Sequence, residues 1–372
     1  MHNKREFTRE ELRSAVQHFQ VWGDLLSVER YGSGHINDTF KVEMSVAGSP
    51  LRYLLQRINH GIFKNPQQLM ENILRVTEHQ RSKLFDPSDA DSSRRCLTVI
   101  PATDSLPYYR DDEGNWWRLY LFIEKAETHD RIETESYAFE AARAFAGFQN
   151  LLADLPSPRL HETIPDFHHT PKRIEALDRA FEADEYGRAS EVADEMEFVN
   201  RRREECARLI GRCDAGEFPE RITHNDTKIN NVMLDDETGG GICVIDLDTV
   251  MPGLALYDFG DMVRSAAAAS SEDERDLSKV GTRLEIFEAL LRGYLSEAKF
   301  LNEAEIEELA FCGRLITMTI GIRFLTDYLS GDVYFKTHRE GQNLDRCRVQ
   351  FRMVRSMEQQ ESAMQAVVDA LV

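Results

Sequence analysis

Residues 222–248 read ITHNDTKINNVMLDDETGGGICVIDLD. His224, Asp226 and Asn231 share one short polar segment, and Asp246 closes the apolar run Ile242-Cys243-Val244-Ile245. The spacing His-x-Asp-x-x-x-x-Asn lets a carboxylate and an amide on one loop turn toward one pocket. Phosphoryl transfer asks for that set: a carboxylate to orient an attacking hydroxyl, and an amide with a second carboxylate to hold Mg2+ on the phosphates of ATP. On this reading Asp226 is the catalytic base, and Asn231 and Asp246 are the metal ligands. Polar residues at such spacing also cap turns by chance, so the flanking pattern has to separate the two readings. Val232-Met233-Leu234 predicts a strand, Gly239-Gly240-Gly241 a turn, and residues 242–245 a second strand. Such a hairpin brings Asn231 and Asp246 side by side at its open end.

Outward from the hairpin the texture changes. Thr8 and Glu11 spell a capping box ahead of a first helix with Leu12, Val16 and Phe19 at helical spacing. Strands are then predicted over 25–31, 39–46, 51–58, 96–100, 106–110 and 116–123, with one inserted helix over 66–84. Beyond Glu124 the period becomes helical, over 134–153, 171–184, 190–213, 283–298, 303–329 and 341–370. The expectation is an α+β chain of two lobes. A small β-rich nucleotide-binding lobe spans 1–124, a larger helical lobe with the catalytic loop and acceptor site spans 125–372, and the ligands lie in the cleft between them.

The 45 basic and 65 acidic residues give a formal charge of −20, which argues against nucleic acid or an anionic membrane as partner. A small neutral or cationic acceptor suits that field better. Six cysteines without a Cys-x-x-Cys pair indicate neither a zinc site nor a disulfide framework. The stretch MHNKREFTREELRSAV lacks the apolar core of a signal peptide, and no run approaches the roughly 18 apolar residues of a membrane span. A soluble cytoplasmic protein is expected, and its oligomeric state is left open.

Gly32-Ser33-Gly34, between two predicted strands, is a candidate lid over the nucleotide phosphates, because glycines let a backbone bend there without side chains in the way. The same residues suit a plain hairpin turn. A kinase also needs a cation on the third strand. That strand offers Gln56 and Arg57, which alternate, so only one faces the cleft. Glu71 and Glu78 on the inserted helix are candidate partners. Asp258-Phe259-Gly260 spells the magnesium tripeptide of protein kinases, yet that place belongs to Asp246, so Asp258 is expected to brace the catalytic loop through backbone hydrogen bonds.

These residues resemble the aminoglycoside phosphotransferase and choline kinase superfamily and, within it, the N-acetylhexosamine 1-kinases. The resemblance is carried by YGSGHINDTF (31–40), LLQRIN (54–59), the run from His224 to Arg264, GIRFLTDYLSGDVYF (321–335) and NLDRCRVQF (343–351). It implies a bilobal protein-kinase-like fold and transfer from ATP, with Mg2+, to the C1 hydroxyl of GlcNAc or GalNAc. It also implies an adenine-reading hinge at Phe122, Ile123 and Glu124, with Asp248, two residues past Asp246 and on the same side of the strand, assisting the metal or the sugar. His35, Asp261, Arg264, Arg323 and Tyr334 become candidate sugar contacts alongside Asp226. The superfamily typically places arginine or lysine where this chain has Gln56. Two other readings stay open: a kinase for an aminoglycoside, a choline-like alcohol or another hexose, and a degenerate module that binds nucleotide without transfer.

Overall fold

The structure, a computed structural model, describes residues 6–32, 36–89, 91–132 and 134–372. Ser33, Gly34 and His35 of the predicted lid lie outside the described residues. Helix α1 (Arg9–Gln17) opens on the predicted capping box: the Glu11 N–H donates to Thr8 Oγ1 at 3.2 Å, and the Thr8 N–H to the Glu11 carboxylate at 2.7 Å. Strands β1 (Asp24–Arg30), β2 (Asp38–Val46), β3 (Ser49–Ile58), β4 (Val99–Ile100), β5 (Tyr109–Arg110) and β6 (Trp116–Leu121) form one antiparallel sheet. Its order is β1-β2-β3-β6-β4, with β5 also on β6. Helix α2 (Pro66–Leu84) is inserted after β3, its first turn capped by Asn65 and begun by Pro66.

Alternation along β3 assigns the sheet's two faces. Tyr53 and Leu55 join Phe40, Val42, Trp117, Leu119 and the α1 residues Leu12 and Val16 in a small outer core. Leu54 and Ile58 join α2 and the helical half in the large core. Gln56 lies between them on that inner face, whereas Arg57 turns outward. Arg57 donates to Asp38 through Nε at 2.9 Å and Nη2 at 2.6 Å, and covers the Phe7 ring.

The connection to the helical half, β7 (Ala126–Glu127), pairs with the first strand of the predicted hairpin. Helices α3 (Glu135–Leu152), α4 (Thr170–Ala183), α5 (Ala193–Asn200), α6 (Arg203–Cys206) and α7 (Arg208–Asp214) follow β7. Strand β8 (Arg221–Thr223) comes next and pairs antiparallel with β11 (Met251–Gly253), while β9 (Val232–Asp235) and β10 (Gly241–Val244) form the hairpin. The chain ends in α8 (Ala255–Ala266), α9 (Leu284–Glu297), α10 (Glu303–Glu307), α11 (Leu309–Leu329), α12 (Gln342–Gln359) and α13 (Glu361–Leu371).

Three of the predicted helices prove segmented. The segment 190–213 becomes α5, α6 and α7, and the helix over 341–370 divides at Gln360. The helix over 303–329 breaks at Glu308, whose fully buried carboxylate accepts from Arg208 at 2.8 Å and Arg212 at 2.5 Å. A buried charge needs such partners more than one extra turn of helix. Helix α11 is long and apolar enough to cross a membrane by length and composition, but most of it is buried, crossing α8 in the core. Gly260 permits the crossing: a Cβ there would stand 2.6 Å from the Cys312 carbonyl. Glycine serves helix α3 in the same way. Cβ atoms at Gly293 of α9 and Gly241 of β10 would lie 2.1 and 2.9 Å from the carbonyl oxygens of Phe139 and Glu140.

Candidate active site

The catalytic loop, from His224 to Asn231, is held from behind. The N–H groups of His224 and Asn225 donate to the Asp258 carboxylate at 2.8 and 2.7 Å, Gln149 Nε2 donates to it at 2.7 Å, and Thr227 Oγ1 donates to the Asp258 carbonyl at 2.6 Å. Asp258 is therefore the expected brace. Gln149 accepts in turn from the Tyr294 hydroxyl, which carries the brace to α9. Burial pushes His224 below its ordinary value, so the ring is neutral. Its Nε2–H donates to the Ile245 carbonyl at 2.9 Å and its Nδ1 accepts from the Asp226 N–H at 3.3 Å. One imidazole thus spans from the loop carboxylate's backbone to the residue before Asp246.

Asp226, Asn231 and Asp246 are brought to one place. Asn231 Nδ2 donates to the Asp226 carbonyl at 2.8 Å and to Asp226 Oδ2 at 3.2 Å, leaving Asn231 Oδ1 without a partner among the described residues. Lys228 Nζ lies 2.9 Å from Asp226 Oδ1. Burial opposes ionisation of Asp226, but Lys228 leads a group of positive charges that outweighs it and holds the carboxyl down at about 2. Asp246 is the opposite case: burial, then Asp248 and Asp226, push it up to about 7. It stands at φ +59°, a left-handed conformation that costs a non-glycine residue about 1 kcal/mol or more and recurs at functional sites. No donor reaches its side chain among the described residues.

That donor set fits a divalent ion of the magnesium kind. Among the described residues no three His, Cys, Asp or Glu side chains form a complete metal cage. Mg2+ does not need one, because it usually takes one or two protein oxygens and completes its shell with phosphates and water. Asn231 Oδ1 and the Asp246 carboxylate, which repels its acidic neighbours and makes no ion pair among the described residues, would supply those two oxygens.

Asp248 is placed differently from the expectation that it continues Asp246's strand. The left-handed turn at Asp246 sends the chain into a short 3-10 turn, Leu247–Thr249, where Asp248 is buried. Its two oxygens accept from the sheet lobe, one from Arg118 Nη1 and the other from Asn37 Nδ2 at 2.6 Å. Arg118, on β6, also donates through Nε to Gln56 Oε1 at 2.9 Å, and Gln56 Nε2 donates to Thr39 Oγ1 at 3.1 Å. Of the two nucleotide candidates on β3, only Gln56 faces the cleft; Arg57 is on the outer face with Asp38. Glu71 is engaged with His161 at 3.0 Å.

At the hinge, the Phe122 N–H donates to the Arg52 carbonyl at 3.1 Å, and the Glu124 carbonyl accepts from Arg94 Nε at 2.9 Å. The Glu124 carboxylate pairs with Arg52. Ile123 carries no backbone bond of this kind among the described residues and is buried beside them. Gly32 adopts φ +75°, a left-handed conformation that favours glycine, and a Cβ there would meet nothing within 4 Å.

Past Asp226 lies a polar wall on α8, α11 and the segment before α4. Asp261 and Arg264 are buried and paired at 2.7 Å, leaving Asp261 Oδ2 without a partner among the described residues. His168 donates through Nε2 to the Asn225 carbonyl at 2.8 Å, its Nδ1 is likewise without a partner among the described residues, and burial pushes it down to about 4. Arg323 donates to the Tyr334 hydroxyl at 3.3 Å and lies over Phe167, Tyr334 and Phe335, with ring centroids 4.6, 5.5 and 5.4 Å away. Its charge is felt at His168, so the two stand near one another.

The pattern of the phosphotransferase enzyme family, APH, matches residues 27–300. The chain belongs to this family. Solved structures agree on the fold. An aminoglycoside phosphotransferase from Alicyclobacillus acidocaldarius superposes with a TM-score of 0.63 at 10% identity, covering 96% of each chain. A microcompartment-associated aminopropanol kinase gives 0.58 at 18% identity, covering 95% of this chain and 97% of that one. A choline kinase from Cryptosporidium parvum Iowa II gives 0.54 at 14% identity, covering 92% and 91%. The phosphotransferase shares the fold of these kinases, with a β-sheet N-terminal region and a helical C-terminal region.

Four residues of the phosphotransferase's site escaped the reading of the sequence. Lys228, two places after Asp226, and Arg118, the single charge in Trp116-Trp117-Arg118-Leu119-Tyr120-Leu121, each carried a signal. A charge inside an apolar strand has to find a buried partner. Asn37 and His168 carried none, since their roles depend on contacts made far along the chain.

Proposed function

We propose that this phosphotransferase moves the γ-phosphoryl group of ATP, as its Mg2+ complex, to the C1 hydroxyl of a free N-acetylhexosamine, GlcNAc or GalNAc. The observation that carries the acceptor class is the wall beyond Asp226. Two buried acceptors, Asp261 Oδ2 and His168 Nδ1, have no donor among the described residues, and hydroxyl groups supply donors. The aromatic faces of Phe167, Tyr334 and Phe335 are already covered by Arg323, so they offer no open cage to a quaternary ammonium. With Arg323 and Arg173 both there, the wall favours a neutral polyol over a cationic alcohol. The choice of an N-acetylhexosamine, and of its C1, rests on the resemblance of the central run and of residues 321–335.

The chemistry then follows from charge. The acceptor hydroxyl attacks the γ-phosphorus as the bond to the β,γ-bridging oxygen breaks, ADP leaves, and the hydroxyl proton passes to Asp226. A carboxyl that Lys228 holds below the usual range is a weak base, so Asp226 orients the hydroxyl and takes its proton late, as a loose transition state permits. Asn231 and Asp246 would hold Mg2+, which when bound would supply neutralisation of the phosphate charge. Lys228 lies beside Asp226, where charge on the transferring group accumulates.

The test is a coupled assay for ADP with GlcNAc, GalNAc, glucose, galactose, choline, ethanolamine and kanamycin as acceptors, with the product read by phosphorus NMR. The expected product is an N-acetylhexosamine 1-phosphate. Turnover confined to the amino alcohols or kanamycin would overturn the acceptor reading, and ATP binding without transfer to any of them would leave a nucleotide-binding module.

A further inference from the structure

Phosphate binding on this fold calls for a cation at the inner face of the third strand, and that place is filled by a neutral amide, Gln56. Its cross-strand partner in the antiparallel β3–β6 ladder is Arg118. Directly opposed residues stand about 5 Å apart at Cβ and share a face, so the guanidinium reaches the volume that a long basic side chain on β3 would fill. We propose that Arg118 is the residue that clamps the α- and β-phosphates of the nucleotide, with the cation moved one strand over and Gln56 kept as its holder. This assignment rests on the ATP-dependent reading above.

Three observations carry it. Gln56 is oriented: Nε2 donates to Thr39, which turns Oε1 toward Arg118 Nε at 2.9 Å. An amide held this way has its acceptor committed to the arginine and is poorly set to bind an anion itself. Arg118 is also incompletely satisfied. Nε is bonded to Gln56 and Nη1 to Asp248, whereas Nη2, with two further N–H donors, has no partner among the described residues. Nη2 is not among the buried atoms that lack a partner, so this edge of the fork is open to solvent, where a ligand oxygen can reach it. Finally, Arg118 is 1% exposed and close enough to Asp246 and Asp248 to feel both charges, which puts it beside the carboxylate that would carry the metal. Phosphate oxygens bridging that metal come within reach of the open Nη2, and a fork with a free edge suits them.

The experiment compares the Kd of ATP, with Mg2+, to the Kd of adenosine by titration calorimetry in three proteins: the wild type, Arg118→Met, and the double variant Gln56→Lys/Arg118→Gln. Adenosine lacks phosphates and reports the base pocket, so a general loss of structure moves both ligands while loss of a phosphate clamp moves ATP alone. In Arg118→Met the ATP Kd should rise roughly 10- to 100-fold relative to the adenosine Kd, the range for one hydrogen bond to a charged group. The double variant keeps one cation and one amide on the same strand pair with their places exchanged, and should return the ratio to within about threefold of wild type. An unchanged ratio in Arg118→Met overturns the proposal. Should that variant fail to fold, a double variant that folds but binds ATP no better, relative to adenosine, than tenfold below wild type overturns it instead. A wild type that binds adenosine and ATP equally would reject the kinase reading itself, an outcome distinct from both.

Discussion

Replacing Asp258 with alanine separates the brace of the catalytic loop from the chemistry. Three donors converge on that carboxylate, the N–H groups of His224 and Asn225 and the amide of Gln149, all in fully buried surroundings. Each costs about 1–3 kcal/mol when left unpaired, and water entering the vacated space recovers part of the sum, so a net loss of about 3 kcal/mol is expected. Urea denaturation reads it, with the midpoint falling by about 1 M or somewhat more. Because Asp226 directly follows Asn225, kcat should fall by about a hundredfold, the size of effect that an ångström of misplacement produces.

The same residue carries a pH signature. Burial outweighs the three donors and lifts Asp258 to about 7, against an ordinary 3.8. A folded value above the unfolded one means that folding takes up a proton between those limits. This contribution to stability is full below about pH 4 and declines as pH rises to 7, by about 4 kcal/mol at most. Subtracting the Asp258→Ala profile from the wild-type profile isolates that decline. A variant within about 1 kcal/mol of wild type and with unchanged kcat would refute the brace, and a flat difference profile from pH 4 to 7 would refute the burial argument.

Asp226→Asn should lower kcat at least a thousandfold with an unchanged circular dichroism spectrum, so near-normal turnover removes Asp226 from the chemistry. Asp246→Asn should raise the Mg2+ concentration for half-maximal activity at least tenfold while KM for the acceptor stays within about threefold, measured by Mg2+ titration at fixed ATP. Gly293→Ala sets a methyl against the Phe139 carbonyl, 2.1 Å from the added carbon, and backbone cannot swing aside. A cost of about 2–3 kcal/mol is expected by chemical denaturation, and a neutral result would show that α3 and α9 can part without penalty.

What was legible in the sequence was what is local. The Thr8–Glu11 box, the β9–β10 hairpin and the loop between His224 and Asn231 are set by neighbours within a few residues, and each appears where the pattern put it. Helix α8 was hidden for the opposite reason. Nearly all its residues are buried, so no polar face marks its period, and the eye goes to Asp258-Phe259-Gly260 instead. Asp248 was misjudged because a strand was extended past Asp246, where a left-handed residue turns the chain. Arg118 and Asn37 find Asp248 across 130 and 211 residues of chain, a distance no local pattern spans.

The close approach of α3 to its neighbours has a consequence for how this scaffold can be altered. Gly241 rests on the Glu140 carbonyl and Gly293 on that of Phe139, so the strand leading to Asp246 is registered to main-chain atoms on one flank of a helix whose adjoining turn is gripped by α9. A reference made by backbone does not drift when side chains elsewhere are exchanged. The wall formed by His168, Asp261 and Arg323 is built on other elements, so side-chain changes there leave this main-chain reference untouched.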